Sequence, residues 1–425
     1  MERNSMVYQA YMRILQDELV PAMGCTEPIA VAYCAAKTRE ALAALPDRVE
    51  LEVSGNIIKN VKSVVVPHTG GKRGMRAAVA AGIIAGDPTR ELEVISSVSP
   101  SQIEELERYL QNTDIIVRPA DTKRVLDIFV TAWKGQDWAK VHIADHHTNI
   151  VRIEKNGNIL FDSNYGPKEN QIATDLEQLT VERIFDFANT LNTDDVQEIF
   201  DRQMAYNSAI AQEGLRGNYG ASVGKTLLCT QGHNVRTRAR AMAAAGSDAR
   251  MNGCELPVII NSGSGNQGMT VSLPVIEYAK ELGRDQETLY RALAISNLVA
   301  IHLKSGIGRL SAYCGAISAG VGAGAAICYL YGGTLEDISH TIVNALAISS
   351  GVICDGAKAS CAAKISLAVD TGIFGYEMFC NGQQFYSGDG IVSKGVENTI
   401  HNISILGKEG MAETDKIILS IMVNS

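Results

Sequence analysis

Three cysteines in the C-terminal half of the sequence have the surroundings of a metal-ligand set. Cys314, Cys354 and Cys361 lie beside or close to glycine and polar residues, in the segments GRLSAYCG and GVICDGAKASC. Glycine lets the backbone approach a bulky group, and cysteine thiolates hold iron–sulfur clusters. Their spacing matches neither a zinc ribbon nor a ferredoxin. The pattern indicates an iron–sulfur cluster, and three buried structural thiols remain the alternative.

A set of three cysteine ligands would leave one iron of a four-iron cluster open. An open iron can act as a Lewis acid toward a hydroxyl or thiol of a substrate. Cys25, in the segment GCTEP, lies just before a predicted helix, where the helix dipole favours a thiolate. We therefore expect Cys25 near the open iron. The cysteines in apolar or ordinary helical context are predicted to be structural: Cys34, Cys229, Cys328 and Cys380.

Two glycine-rich segments could bind the carboxylate of a small substrate. NSGSGNQGM offers free backbone amides together with the side chains of Ser262, Ser264 and Asn266. VPHTGGKRGMR carries Thr69 just before a predicted helix, and helix N-termini bind anions. Each segment could instead be an ordinary loop.

A reaction that removes a proton from carbon also needs a general base. The candidates that lie in predicted loops or at helix ends are Lys304, Lys358, Lys364, His68 and the Cys25 thiolate. The sequence does not show which of them can reach the α-proton of a substrate. We predict Cys25, Glu27 and Lys304 as catalytic residues and Thr26 as a substrate-binding residue.

The elements that must position these residues form an α+β fold. Residues 5–20 and the alanine-rich run after Pro28 are each predicted to form a helix. The next hundred residues mix helices with strands; the predicted strands include VELEVSG, VKSVVVP and ELEVISSV, and Asn156-Gly157 is a predicted hairpin turn. Beyond a polar linker at 165–175, helical periodicity continues to the C-terminus.

This division predicts a small mixed α/β domain and a large, mostly helical domain. The small domain covers residues 46–165 and the helical, cluster-binding catalytic domain covers residues 166–425. The N-terminal helices of residues 1–45 are expected to pack on the helical domain. The pair His146-His147 is predicted to be solvated or in a turn, because adjacent strand residues point to opposite faces and cannot both chelate a metal.

Composition excludes several classes of function. The chain has 425 residues and a formal net charge of −9, and without a basic stripe nucleic-acid binding is not expected. Residues 311–334 carry no charge and are long enough to span a bilayer, but they consist mostly of Gly, Ala and Ser, so a buried helix is predicted instead. Nine cysteines without a secretory segment favour a cytoplasmic protein with reduced thiols.

Four separated segments together resemble a known family, the iron–sulfur L-cysteine desulfidases. They are GCTEP at Cys25, NSGSGNQG at Asn261, GRLSAYCG at Cys314 and GVICDGAKASC at Cys354 and Cys361. The helical part is similar to the alpha chain of bacterial iron–sulfur L-serine dehydratases. The resemblance covers nearly the whole chain and implies a [4Fe–4S] cluster on the last three of these cysteines, with Cys25 near the open iron. It also implies β-elimination of L-cysteine to pyruvate, ammonia and sulfide.

Other functions remain open at this point. L-Serine or another 2-amino or 2-hydroxy acid could be the substrate, although the loop before Cys25 lacks the Ser-Ser-His-Thr pattern of serine dehydratases. The Ser-Gly-Asn segment also echoes pyridoxal-phosphate dehydratases, whose strand–helix alternation the C-terminal half lacks. A metal or redox sensor would need an output surface, and none stands out. We expect a small amino-acid substrate, no nucleic-acid or membrane partner, and a homodimer.

Overall fold

The structure is a computed structural model that describes residues 1–163 and 173–424. The first range contains α1 (Met6–Glu18), β1 (Pro21–Met23), α2 (Thr26–Leu42), β2 (Arg48–Val53), α3 (Gly55–Val61), α4 (Gly74–Ala85), α5 (Pro100–Asn112), β3 (Asp114–Pro119), β4 (Asp127–Lys134), β5 (Asp137–Ala144), β6 (Ile150–Lys155) and β7 (Asn158–Asp162). The predicted linker at 165–175 and the boundary at residue 165 fall mostly outside the described residues.

The second range is almost entirely helical. It contains α6 (Val181–Thr190), α7 (Gln197–Arg216), α8 (Val223–Gln231), α9 (Val235–Met251), β8 (Pro257–Ile259), α10 (Gly265–Glu281), α11 (Gln286–Ile307), α12 (Gly315–Leu330), α13 (Leu335–Ser349), α14 (Cys361–Cys380), α15 (Val396–Ile405) and α16 (Ala412–Asn424). A mixed sheet precedes this helical part, and the α+β class predicted from the sequence is confirmed.

The six-stranded sheet has the order β3-β2-β4-β5-β6-β7. Only the β2–β3 pair is parallel among its neighbours, and α3, α4 and α5 provide the crossover that a parallel pair requires. Alternate residues of β2, such as Val49 and Leu51, are buried beneath the helices. Asn156 and Gly157 both have positive φ in the turn between β6 and β7, so the predicted hairpin turn is confirmed.

Two predicted strands are wrong. In VKSVVVP, α3 extends to Val61, and beyond it only Val65 makes a β-bridge, to Arg73 across its own loop. In ELEVISSV, Glu91–Glu93 form a 3₁₀ turn closed by a hydrogen bond from the Asp87 amide to the Val94 carbonyl. Both segments are short apolar runs that lack a neighbouring strand, and such runs are buried here as turns.

Helix α12 is the centre of the helical part, surrounded by α10, α11, α13 and α14. Its small residues allow close backbone approach: a Cβ on Gly324 would lie 2.4 Å from the Gly372 carbonyl oxygen of α14, and one on Gly322 would lie 2.4 Å from the Ser296 carbonyl oxygen of α11. The uncharged run is therefore a buried helix, as predicted. Within the described part of the chain, no helix combines the length and apolar character that crossing a bilayer requires.

The N-terminal segment connects the two parts of the molecule. Tyr8 and Tyr11 of α1 pack on Phe187 of α6, and β1 pairs with β8, so this much of the segment lies on the helical part as expected. Helix α2 differs, because beyond its first turn it packs mainly on α4, β4 and β5. Nearly every residue from Thr26 to Ala36 is buried, and an alanine-rich helix without a polar face needs cover on all sides.

Candidate active site

Four helix N-termini meet at one cavity of about 100 Å³. Its lining includes Cys25, Ser264, Cys314 and Cys361, which lie at the beginnings of α2, α10, α12 and α14. The first three are N-cap residues, and none of their side chains makes a capping hydrogen bond. Helix N-termini present free N–H groups and partial positive charge, so the cavity suits anionic groups.

Cys314 and Cys354 lie side by side because their two loops pair. The Cys314 amide donates to the Val352 carbonyl at 3.1 Å, and the Cys354 amide donates to the Ala312 carbonyl at 2.6 Å. This short antiparallel pairing brings together cysteines that are forty residues apart in the sequence.

Cys361 reaches the same wall because the loop that follows Cys354 folds back. Gly356 has φ +97°, and a Cβ there would lie 2.4 Å from the Lys59 carbonyl oxygen, so glycine is required. The Cys361 thiol lies 3.6 Å from the Gly356 carbonyl oxygen, and Lys59 Nζ donates to the Cys354 carbonyl oxygen. All three cysteines predicted to be cluster ligands thus line one cavity.

The donor set fits an iron–sulfur cluster better than a single metal ion. Across residues 1–163 and 173–424, no three His, Cys, Asp or Glu side chains surround one point where a metal ion would sit. In a cluster each thiolate binds a different iron, so the sulfurs need not converge. Burial is the main cause that raises the pKa of Cys314 to about 12, and the nearby Cys354 is the second. This thiol therefore needs a bound metal to ionise.

Cys25 and Thr26 both approach the buried carboxylate of Glu27. The Cys25 thiol lies 3.3 Å and the Thr26 hydroxyl 3.1 Å from Glu27 Oε2, while the Asn60 amide donates to Oε1 at 3.2 Å. Burial raises the pKa of Cys25 well above its ordinary value, and the Glu27 charge raises it further. Cys25 is thus a neutral thiol rather than the predicted thiolate, because loss of hydration outweighs the helix dipole.

Lys304 is the candidate base best placed for proton transfer. It lies in the last turn of α11, is 4% exposed, and lines the cavity. No carboxylate of the described residues forms an ion pair with it. Burial lowers its pKa to about 8; the nearby Cys354 and Cys314 oppose this shift and the charges of Lys59 and Arg309 add to it. With this pKa, about a tenth of the molecules carry a neutral Lys304 at pH 7 and about half do at pH 8, far more than for an exposed lysine.

The other candidate bases already have partners. Lys358 and Lys364 both form ion pairs with Asp355. Burial raises the pKa of Asp355, but these two lysines outweigh that effect and hold it at about 2. His68 lies 3.4 Å from Glu255 and does not line the cavity.

The two glycine-rich segments differ in their relation to the cavity. Ser264 and Asn266 line it, whereas Ser262 donates to Asn261 Oδ1 and lines a neighbouring cavity of about 260 Å³ that also borders Lys304. Thr69 is not brought to either cavity. Its hydroxyl donates to the Val66 carbonyl at 2.7 Å, so this loop closes on its own residues instead of holding a substrate.

Sequence reasoning missed several polar residues of the site. Asn60, Arg250 and Gln267 line the cavity, and Arg250 is 2% exposed. The sequence contains one signal for Arg250. Ala239, Ala243, Gly246 and Arg250 have the spacing i, i+4, i+7, i+11, which places the arginine on an otherwise apolar face of its helix. An arginine on such a face indicates a buried charge.

His147 lies in a turn, which is one of the two alternatives predicted from the sequence. Its side chain is buried there, with 5% exposed. A Cβ on Gly263 would lie 3.0 Å from its ring, so His147 packs against the loop before α10. Burial lowers its pKa to about 4, which keeps the ring neutral near pH 7.

The sequence is similar to known proteins along its whole length. The serine dehydratase alpha chain family matches residues 89–420. A UPF0597 protein of Desulfitobacterium hafniense is 60% identical over 424 residues, which cover 100% of this chain and 99% of that protein. UPF0597 proteins of Lachnoclostridium phytofermentans and Finegoldia magna are 52% and 47% identical, over 98% and 97% of this chain and 100% and 99% of their own lengths.

Proposed function

The chain belongs to the serine dehydratase alpha chain family, and from this premise we propose that it is an iron–sulfur lyase that acts on L-cysteine. The observation that carries the proposal is the single cavity lined by Cys25, Cys314, Cys354, Cys361 and Lys304. The reaction would be β-elimination: L-cysteine and water give pyruvate, ammonia and hydrogen sulfide.

Cys314, Cys354 and Cys361 would hold a [4Fe–4S] cluster. When bound, the cluster would supply an open iron as a Lewis acid at the β-substituent of the substrate. Four helix N-termini around the cavity would stabilise the negative charge of the cluster and of the substrate. An oxygen-sensitive cluster and nine free cysteines fit a reducing compartment, and we propose the cytoplasm.

The side chains around the cluster have separate tasks in this proposal. Lys304 Nζ accepts the α-proton, because it is buried, lines the cavity and has no carboxylate partner among the described residues. The Cys25 thiol, oriented by its hydrogen bond to Glu27 Oε2, lines the cavity as a neutral polar group beside the leaving sulfur. Thr26 holds the first turn of α2 against Gly263, which keeps Cys25 in place. Ser264 and Asn266 contribute polar contacts to the substrate.

L-Serine is the second candidate substrate, and the family description favours it. The two candidates differ only in the β-substituent, a thiol or a hydroxyl. Cys25 adds a fourth thiol to the cavity, a soft environment that suits a sulfur substituent.

The decisive experiment begins with anaerobic reconstitution. Iron and acid-labile sulfide are counted and an absorption spectrum is recorded, and we expect a broad shoulder that air bleaches. A sharp band removed by borohydride would indicate pyridoxal phosphate and contradict the proposal. kcat/KM is then measured for L-cysteine and L-serine, and sulfide release many times slower than serine turnover would reject L-cysteine in favour of L-serine.

A further inference from the structure

Arg250 carries a buried positive charge at the cavity, which the Glu27 carboxylate also lines outside ion-pair distance. It is 2% exposed, and within residues 1–163 and 173–424 its Nε has no hydrogen-bond partner and no carboxylate forms an ion pair with it. Burying an unpaired charge is costly, so such groups are retained where a ligand supplies the missing charge. Because Arg250 lines the cavity, its charge indicates that an anionic ligand binds in the cavity.

The position of the guanidinium limits where that anion can bind. A Cβ on Gly265 would lie 2.4 Å from Arg250 Nε and 2.8 Å from its Cζ, so the guanidinium packs against the first residue of α10. Arg250 and the N-terminus of α10 thus present positive charge and N–H donors at the same point. A carboxylate matches the planar fork of arginine with two parallel hydrogen bonds.

Two side-chain amide oxygens that line the same cavity as Arg250 are without a hydrogen-bond donor in the described part of the chain. Asn266 Oδ1 and Gln267 Oε1 are buried and have no hydrogen-bond partner among the described residues. Both residues line the cavity in the first turn of α10. Buried acceptors without a partner are uncommon, and a ligand N–H group would satisfy them. The cavity therefore offers one site for an anion and an adjacent pair of acceptors for a cation.

We infer that Arg250 and the first turn of α10 bind the α-carboxylate of a zwitterionic 2-amino acid, whose α-ammonium donates to Asn266 Oδ1 and Gln267 Oε1. This inference rests on the proposed lyase function and assigns the residues that would bind the two charged groups of its amino-acid substrate. A 2-hydroxy acid would supply the carboxylate but not the ammonium. The arrangement also places the α-carbon in the cavity that Lys304 lines.

The test uses L-alanine, which carries both charged groups but has no β-substituent to eliminate. Its binding to the anaerobically reconstituted protein is measured by equilibrium dialysis, beside L-lactate and L-alaninamide. Wild-type protein should bind L-alanine and bind the other two far more weakly. Arg250→Met should weaken L-alanine binding about 100-fold, and Arg250→Lys should weaken it less.

Arg240→Met is the matched control. Arg240 lies on the same helix, but it hydrogen-bonds to Ser366 and Gln231 and does not line the cavity. L-Alanine binding should be unchanged in this variant.

Several results would overturn the inference. One is L-alanine binding by Arg250→Met as tight as in wild type, and another is wild-type protein that binds L-lactate as tightly as L-alanine. Loss of iron in Arg250→Met would make the cluster the partner of Arg250. A lower melting temperature of the ligand-free Arg250→Met protein than of ligand-free wild type would indicate a structural role, since removal of an unpaired buried charge should not destabilise the fold.

The same experiment separates this inference from the proposed function. Wild-type protein that turns over neither L-cysteine nor L-serine, yet binds L-alanine through Arg250, would reject the lyase proposal and support the inference. Protein that turns over L-cysteine or L-serine, but whose L-alanine binding does not depend on Arg250, would support the lyase proposal and reject the inference.

Discussion

The Thr26 hydroxyl donates a hydrogen bond of 2.9 Å to the Gly263 carbonyl, across 237 residues of sequence. The β1–β8 pairing lies just before this contact on both segments, and the Val20 carbonyl accepts from the Ile260 amide to extend it. Together these bonds fix Cys25 beside the cavity that the C-terminal helices form. The cavity is therefore complete only when the N-terminal segment is docked.

The first prediction concerns Cys25. Cys25→Ala should retain the iron content of wild type, because three other cysteines hold the proposed cluster, but should lower kcat with L-cysteine by about 100-fold or more, because the thiol beside the leaving sulfur is lost. Iron analysis and steady-state sulfide release on the same preparation measure both effects. Cys34→Ala, on the same helix but hydrogen-bonded to carbonyls of the sheet, is the control and should remain active. Full activity of Cys25→Ala would exclude its catalytic role.

The second prediction concerns the proposed cluster ligands. Cys354→Ser and Cys361→Ser should each lose the absorbance of the cluster, its iron and all turnover, because a three-ligand site has no spare thiolate. Iron per chain after anaerobic reconstitution is the measurement. Cys229→Ser is the control, since this cysteine is exposed and outside the cavity. Normal iron content in both ligand variants would reject the assignment.

The signal that identified the cysteines has a physical basis in the structure. A Cβ at Gly315 would lie 2.7 Å from the Gln267 side chain, and one at Gly356 would lie 2.4 Å from the Lys59 carbonyl oxygen. These glycines next to Cys314 and Cys354 therefore mark crowded loops where side chains converge. The uncharged run of Gly, Ala and Ser likewise predicted the buried helix α12, because small residues along the whole segment let neighbouring helices approach closely.

Other features lay beyond sequence reasoning for identifiable reasons. The strands β1 and β8 have three residues each, which is too short for an alternating pattern. The loop with Thr69 had the composition of an anion site, but its hydroxyl bonds to a carbonyl three residues away, and composition does not show which partner a hydroxyl chooses. The alanine-rich α2 has no polar face, so its sequence could not show which surfaces cover it.

The third prediction concerns Lys304. Lys304→Met should retain the cluster but lose both turnover of L-cysteine and exchange of the α-proton of L-alanine with solvent, by about 100-fold or more. Exchange is followed by NMR in deuterium oxide, which isolates proton removal from the later steps. Lys280→Met replaces an exposed lysine at the end of α10 and should change neither rate. Exchange that persists in Lys304→Met would assign the base elsewhere.

The fourth prediction concerns the pH dependence of stability. Burial lowers the pKa of His147 to about 4, with Arg309 and Arg250 adding to the shift and Glu27 opposing it; the pKa of neighbouring His146 is lowered similarly. Between pH 6.5 and 4 the unfolded chain binds protons that the folded chain does not. As the pH falls through this range, each histidine therefore lowers the free energy of unfolding by up to about 1.4 kcal/mol per pH unit.

Replacement of one histidine isolates this effect from the titration of the carboxylates. His147→Gln should decrease the loss of stability between pH 7 and 5.5 relative to wild type, as measured by urea unfolding of the metal-free protein. His401→Gln, at an exposed position, should follow the wild-type curve. Parallel curves for His147→Gln and wild type would show that His147 titrates normally.

The fifth prediction tests the close packing of α12. A methyl group at position 324 would lie within 2.4–2.8 Å of three backbone atoms of Gly372, and backbone cannot move aside as a flexible side chain can. Gly324→Ala should therefore lower the free energy of unfolding by about 1–3 kcal/mol or more, although alanine is the better helix former. Gly351→Ala is the matched control, because no described residue beyond its two chain neighbours has an atom within 4 Å of its Cβ position. Since Cys314 begins α12 and Cys361 begins α14, Gly324→Ala should also lower the iron content after reconstitution, whereas Gly351→Ala should not.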